Sequence, residues 1–231
     1  MYIMSYLSLT NEVLNRLNEV ELTESNFDEA MGFQKAVKGH VNTAIRRINQ
    51  QQYEWPFNHV QVRQDLCPGV QQYDLPFDCK TVDWESFYIL PGEKEGAVRL
   101  RQLRYDEWMS LYRSNDEVAL RDGTGGKPSR VFRTQSMQFG VTPPPDAAYT
   151  VSYEYWRVPG DMIYAEDVTT IPEQFRWVII EGALAESYKF RDNVEMSSMA
   201  DAAFQQGLKD MRKLLVNHYD YVQGTAILGR Y

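Results

Sequence analysis

The spacing of apolar residues changes period twice along the chain. From Asp28 to Gln52, Ala30, Phe33, Val37, Val41, Ala44, Ile45 and Ile48 recur at steps of three and four. This predicts one long amphipathic helix. A shorter helix is predicted before it, where Val13, Leu14 and Leu17 follow a Ser8/Thr10 start signal. Both apolar stripes are narrow, so each helix needs further partners. From about Asn58 to Pro159 the period drops towards two. VQVRQDL, TVDWESFYIL, AVRLRQL, SRVFRTQ, MQFGVTP and YTVSYEYWRVP alternate or are rich in β-branched and aromatic residues. Turn signals (PGV, LPGEKEG, GTGGKPS, TPPPDA) separate them, predicting a sheet or small sandwich of about six strands. Only Tyr105 to Arg113 has a helical pattern within this stretch, and the segment Ser114 to Lys127 reads as a long loop.

The helical period then returns. Pro172 takes a first-turn position after Thr169 and Thr170, and Phe175, Trp177, Val178, Ile179, Ile180, Ala183 and Leu184 are apolar on nearly every side. Such a helix is buried by neighbours on several faces. A last helix is predicted from about Ser197 to His218, with Met199, Ala203, Leu208, Met211 and Leu215 on one stripe. The first two helices and the last two must share a core. The expected architecture is therefore α+β: a four-helix bundle from residues 1–57 and 160–218, carrying a β-rich insertion over residues 58–159. Within it, GVQQYDLPFDCKTVDW reads as a strand corner shaped by Gly69 and Pro76. The remaining residues, 219–231, hold Gly224 and Gly229, which break any helix, beside apolar Val222, Ala226, Ile227 and Leu228. They read either as a frayed end or as an extended arm that docks on a neighbouring subunit.

Charge changes this picture modestly. The net charge of −8 argues against generic nucleic-acid binding. It is uneven: Lys94 to Arg133 holds nine Lys/Arg against six Asp/Glu, about +3, leaving about −11 for the rest. A solvated strand face explains this most cheaply, with a phosphate- or partner-facing patch as the alternative. No apolar run approaches the roughly 20 residues of a membrane-spanning helix. MYIMSYLSLTNEV lacks a basic start and reaches Asn11 and Glu12 too early for a secretory signal. Synthesis in the cytoplasm is expected. Cys67 and Cys79 are the only cysteines. Two reduced, partly buried thiols are the default, and a disulfide would require their strands to pair.

A search for chemistry finds little. Gly123-Thr-Gly-Gly-Lys127-Pro128-Ser129 fails as a phosphate loop, because Arg121 stands where its first glycine belongs and Pro128 follows the lysine. A mobile hairpin loop is expected there. His40, His59 and His218 have no metal-ligand spacing, and His40 on a helix face reads as packing or surface. Asp106 with Glu107, or Glu181 with Glu186, could serve acid–base work, but solvated or capping roles fit their spacing better. Tyr149, Tyr153, Tyr155 and Trp156 on one strand could stack sugars or bases, or fill a core or interface. No catalytic residue, cofactor or metal site is predicted, and the chain reads as a non-enzyme.

One resemblance covers most of the chain, roughly Phe27 to Tyr221. Trp55-Pro56-Phe57 follows the long helix. Gly69, Tyr73-Asp74-Leu75-Pro76, Asp78, Gly126, Pro128-Ser129, Pro143-Pro144-Pro145-Asp146, Tyr153 and Tyr155 come next, and Pro172 opens the C-terminal helices. This order resembles the head-to-tail adaptor (connector) proteins of tailed bacteriophages, especially the tail tubular protein A-like adaptors of short-tailed phages. The resemblance implies a structural virion protein at the head–tail junction. It implies a homo-oligomeric, dodecameric ring of neighbouring adaptor subunits beneath the portal protein, with a distal tail or nozzle protein below. DNA would pass through the lumen during ejection without specific binding, and no membrane is involved. A ring contact is heterologous and needs two different faces. The arm residues Tyr221, Val222, Ile227, Leu228, Arg230 and Tyr231 are the expected contributors. The alternative is a tail-associated carbohydrate- or protein-binding module using Tyr153 and Tyr155.

Overall fold

The computed structural model describes residues 4–52, 54–90 and 96–216. The chain divides into two compact units. One takes the stretches up to Asn58 and from Pro159 onward, and the other is His59–Val158. The architecture is α+β, a helical bundle interrupted by a β-rich insertion.

The helical unit is built from α1 (Tyr6–Arg16), α2 (Gly32–Gln51), α5 (Arg176–Phe190) and α6 (Val194–Leu215). The first helix starts earlier than its sequence signal. Ser5 is the N-cap, its hydroxyl accepting from Ser8 N at 3.2 Å. Ser8 and Thr10 lie inside the helix, and Thr10 Oγ1 donates to Tyr6 O at 2.8 Å. A cap search by residue type cannot distinguish a serine that caps from one whose hydroxyl bonds back along the helix. The second helix starts later than expected, because Gly32 takes a φ of 57° and cuts it off from Asp28. It closes on Trp55, whose indole donates to Ile48 O at 2.8 Å and stacks on Phe57.

Helix α5 is the central element, burying Val178, Ile179, Ile180, Ala183 and Leu184. A 3-10 turn, Glu173–Phe175, leads into it with Pro172 as its cap. It crosses its neighbours closely at Gly182, where a Cβ would lie 2.8 Å from the Phe204 ring and 2.9 Å from Ala44 Cβ. Helix α6 is capped by Asn193, whose side chain accepts from Met196 N, so it begins at Val194 rather than Ser197. Its buried stripe is Ala200, Phe204, Gly207, Leu208 and Met211. Met199 is not on it: it is 62% exposed. The run from 159 to 171 is held by Asn42, which donates to Met162 O at 2.9 Å and accepts from Met162 N at 3.1 Å.

The insertion is a sandwich of two four-stranded sheets. The strands are β1 (His59–Leu66), β2 (Gln72–Asp74), β3 (Cys79–Ile89), β4 (Val98–Arg99), β5 (Arg101–Leu103), β6 (Arg130–Arg133), β7 (Gln138–Thr142) and β8 (Tyr149–Arg157). One sheet runs β1-β8-β3-β4 and the other β2-β7-β6-β5. The eight strands replace the expected six because the 97–103 segment splits into β4 and β5 and the corner segment contributes the short β2. Leu100 N donates to Phe87 O in the first sheet, and Arg101 N donates to Ser129 O beside the second. A single run of alternating residues thus edges both sheets, a change of partner that alternation does not encode. Phe87, Phe139 and Tyr153 fill the interior, with Phe87 stacked on Tyr153 at 4.6 Å between centroids.

The segment read as a long loop after Arg113 is mostly helical. Helices α3 (Tyr105–Leu111) and α4 (Arg113–Asp122) follow one another, and Gly123 ends the second in a left-handed conformation. The predicted hairpin loop at 123–129 joins α4 to β6 and is no hairpin. Gly126 N donates to Pro144 O at 2.8 Å, and a Cβ on Gly125 would sit 2.4 Å from the same oxygen. Glycine is needed there for the backbones to meet.

Candidate interaction surfaces

The sequence-predicted chemical groups are placed in structural roles. His40 lies on α2, half-buried. Its Nδ1 is 2.9 Å from Ser187 Oγ, and the Ser187 hydroxyl donates to Ala183 O at 2.7 Å. With that hydroxyl proton committed, Nδ1 of neutral His40 is the donor. Burial pushes the His40 pKa down, opposed by Glu186. His59 sits on the edge strand β1, 3.1 Å from Glu154. No group of three or more His, Cys, Asp or Glu is arranged to hold a metal among the described residues.

The carboxylates are likewise engaged. Glu181 pairs with Arg16 at 2.7 Å and Glu186 with Arg47 at 3.2 Å; Arg47 also reaches Asp201 at 2.6 Å. Arg176 meets Glu12 at 2.6 Å, and Arg191 pairs with Glu19. These pairs tie the helices together and leave neither Glu181 nor Glu186 poised as an acid or base. Asp106 faces Arg104 in an exposed contact of 3.7 Å.

Of the aromatic residues on β8, Tyr153 and Tyr155 are interior, while Tyr149 and Trp156 are half-buried. Tyr153 and Tyr155 are buried, and desolvation pushes both hydroxyl pKa values up, that of Tyr155 to about 12. Tyr155 donates to Asp78 Oδ1 at 3.0 Å and Tyr153 to Gln64 Oε1 at 3.0 Å. Rings packed in the sandwich offer no stacking platform for a sugar or base. Cys67 is exposed and Cys79 is buried, and both are free thiols. Burial raises the Cys79 pKa to about 11.

Two surfaces remain that the sequence did not isolate. The first is an apolar groove of about 470 Å³ on the helical unit. Leu184 and Tyr188 of α5 form one wall and Met196, Met199, Ala200 and Ala203 of α6 the other, with the Arg16–Glu181 pair at its rim. Exposed methionines give such a surface an adaptable lining. The signal was present as Met196 and Met199 three residues apart, but a 3.6-residue period cannot say which side of a helix a bundle leaves open. The second lies at the strand corner read from GVQQYDLPFDCKTVDW. Phe77 at its tip is fully exposed, and Met137, in the turn whose carbonyl accepts from Leu75 N, is also exposed. Gly69 does take a left-handed φ of 72° at this corner, and Pro76 O accepts from Cys79 N at 2.9 Å.

The basic segment contributes scattered side chains. Arg99 reaches Glu85 at 2.9 Å, Arg113 reaches Glu117 at 2.7 Å, and Arg130 lies over the Tyr112 ring. Lys94 falls outside the described residues, as do His218 and the arm residues Tyr221, Val222, Ile227, Leu228, Arg230 and Tyr231. No helix among the described residues is long and apolar enough to cross a membrane.

No curated protein is similar to this chain. The family model described as SU10 adaptor protein matches residues 4–226, which takes in both units and nearly the whole sequence. The chain belongs to the SU10 adaptor protein family, and it is a phage adaptor-type protein.

Proposed function

We propose that this chain is a head-to-tail adaptor: a structural virion protein whose copies form a ring, dodecameric in the tail tubular protein A-like pattern, between the portal protein and the distal tail. The observation that carries this reading is the family match across residues 4–226. The architecture agrees with a protein whose function is its surfaces. The pairs Arg16–Glu181, Arg47–Glu186 and Arg176–Glu12 tie helices together and Tyr153 and Tyr155 pack inside the sandwich, while an apolar groove and an exposed aromatic tip stay open. The arm of residues 219–231, with Tyr221, Val222, Ile227, Leu228, Arg230 and Tyr231, supplies one of the two faces that a heterologous ring contact requires.

The charge distribution fits a channel that lets DNA slide. The sequence of the helical unit holds 12 Lys/Arg against 18 Asp/Glu, and that of the insertion 12 against 14. Acidic helical faces turned to a lumen would repel phosphates rather than add salt-dependent grip.

Quantitative mass spectrometry of purified particles of the source phage tests the reading. Copies of this chain near parity with the portal protein are expected. Absence from the particle overturns it. Deleting residues 221–231 is expected to abolish portal attachment and leave the fold intact; unchanged attachment removes the arm from the mechanism.

A further inference from the structure

An eight-residue sheet edge of the insertion, the outer side of β1, is unpaired among the described residues. Strand β1 pairs with β8 over all eight of its residues in unbroken register, from His59 opposite Trp156 to Leu66 opposite Tyr149. Leu90 N donates to Thr150 O, and Val158 N to Asp78 O, so the even-numbered residues of β8 direct their backbone groups towards β3. Alternation then turns Tyr149, Val151, Tyr153 and Tyr155 towards β1. Their partners there are Leu66, Gln64, Val62 and Val60. The backbone N–H and C=O groups of His59, Gln61, Arg63 and Asp65 therefore point away from the sheet.

Neither a proline nor a bulge blunts this edge, and its charged residues Arg63 and Asp65 are of opposite sign. Its side chains at 59, 61, 63 and 65 are exposed. The remaining edges are short or irregular. Strands β2 and β5 have three residues each, and β4 has two. It covers only Tyr88 and Ile89 of β3, whose other residues form an edge broken by register shifts between Cys79 and Thr81 and between Asp83 and Tyr88.

We propose that this edge pairs antiparallel with the same edge of a second copy of the chain, joining two four-stranded sheets into one. The outward residues select the register. Setting His59 opposite Asp65 of the second copy puts Gln61 opposite Arg63 and uses all four outward residues of each strand. It sets no like charges face to face, and it provides about eight backbone hydrogen bonds. Sliding by two residues in one direction sets Arg63 against Arg63. Sliding in the other sets His59 against Arg63 and leaves Asp65 without an opposite residue. The complementary register is the fully overlapped one. The contact is closed on a two-fold axis, so it cannot propagate into a ring. It describes the free subunit and does not rest on the ring reading.

Sedimentation velocity on the full chain, from about 5 to 500 µM, tests the proposal. The mass is expected to double with rising concentration. Gln61→Pro removes an outward N–H and leaves the backbone bonds of the β1–β8 ladder in place, losing only the side-chain bond from Gln61 to Ser152 Oγ, and proline is tolerated on such an edge. The folded variant should stay monomeric at concentrations where the parent chain is dimeric. A parent chain monomeric throughout, or a folded Gln61→Pro dimer of unchanged affinity, overturns the proposal. Should that variant fail to fold, amide exchange on the parent chain decides. The amides of Gln61, Arg63 and Asp65 should exchange about tenfold more slowly at the high concentration, and concentration-independent exchange overturns the pairing.

Discussion

The indole Nε1 of Trp108 donates to Asp116 Oδ2 across 2.8 Å, joining α3 to α4 in the interior of the insertion. Gln71 Nε2 donates to the same oxygen at 2.7 Å, and Thr142 Oγ1 donates to Oδ1 at 2.9 Å. One buried carboxylate thus binds two helices, the residue before β2 and the end of β7. Asp116→Ala strands three buried donors and is expected to cost about 3 kcal/mol. Denaturant unfolding of the variant checks this. A change within 0.5 kcal/mol, roughly the range of surface substitutions, would mean the node carries no weight.

The contact of Gly182 with Phe204 makes a second prediction. Gly182→Val places a branched side chain where even a Cβ is 2.8 Å from the ring. Overpacking of this kind costs about 1–3 kcal/mol. Gly39, on α2, has open space around its missing Cβ, so Gly39→Ala should be neutral or slightly stabilising. Thermal melts of the two variants compare them directly, and equal midpoints would contradict the close crossing.

His40 gives the helical unit a pH dependence. Its pKa in the folded chain lies below the ordinary value of 6.5. Between the two values the unfolded chain binds more protons, so stability rises with pH through that window. This contribution is complete above about pH 6.5 and is lost as pH falls towards the lowered folded value. The stability difference between the parent chain and His40→Gln should therefore shrink on acidification from pH 7 to pH 5. A pH-independent difference would show that the burial of His40 is not felt.

The two thiols should react at very different rates. Cys67 is exposed, whereas Cys79 is buried with its pKa raised to about 11. The thiolate is the nucleophile, so iodoacetamide at pH 8 should label Cys67 first and Cys79 only on unfolding. Peptide mapping of the labelled chain reads this out, and equal labelling would mean that the β3 end opens readily.

Much of the fold was legible because burial imposes a period. The stripe of Val37, Val41, Ala44, Ile45 and Ile48 and the all-round apolar Val178–Leu184 could lie only on helices of a shared core. The alternation of β8 could lie only on a strand with one face inside. Helix α4 was not legible because Arg113–Asp122 buries almost nothing apolar; its anchor is the single polar residue Asp116. A hydrophobic period carries no trace of such an anchor. The tyrosines of β8 were legible as an alternating stripe, but alternation is the same whether the face meets solvent or a second sheet.

By itself the sequence determined the helix–strand–helix order, the absence of a recognisable catalytic motif, and a pattern of landmarks resembling phage adaptors. These are local or composition-level properties, carried by spacing and residue type. Tertiary structure decided that Met199 lines a groove instead of the core, that Gly125 and Gly126 meet the proline run, that Leu100 hands one segment between two sheets, and that β1 is left as an open edge. Each depends on which element lies beside which. That neighbour relation is set by packing residues far apart in the chain, and no short-range periodicity records it.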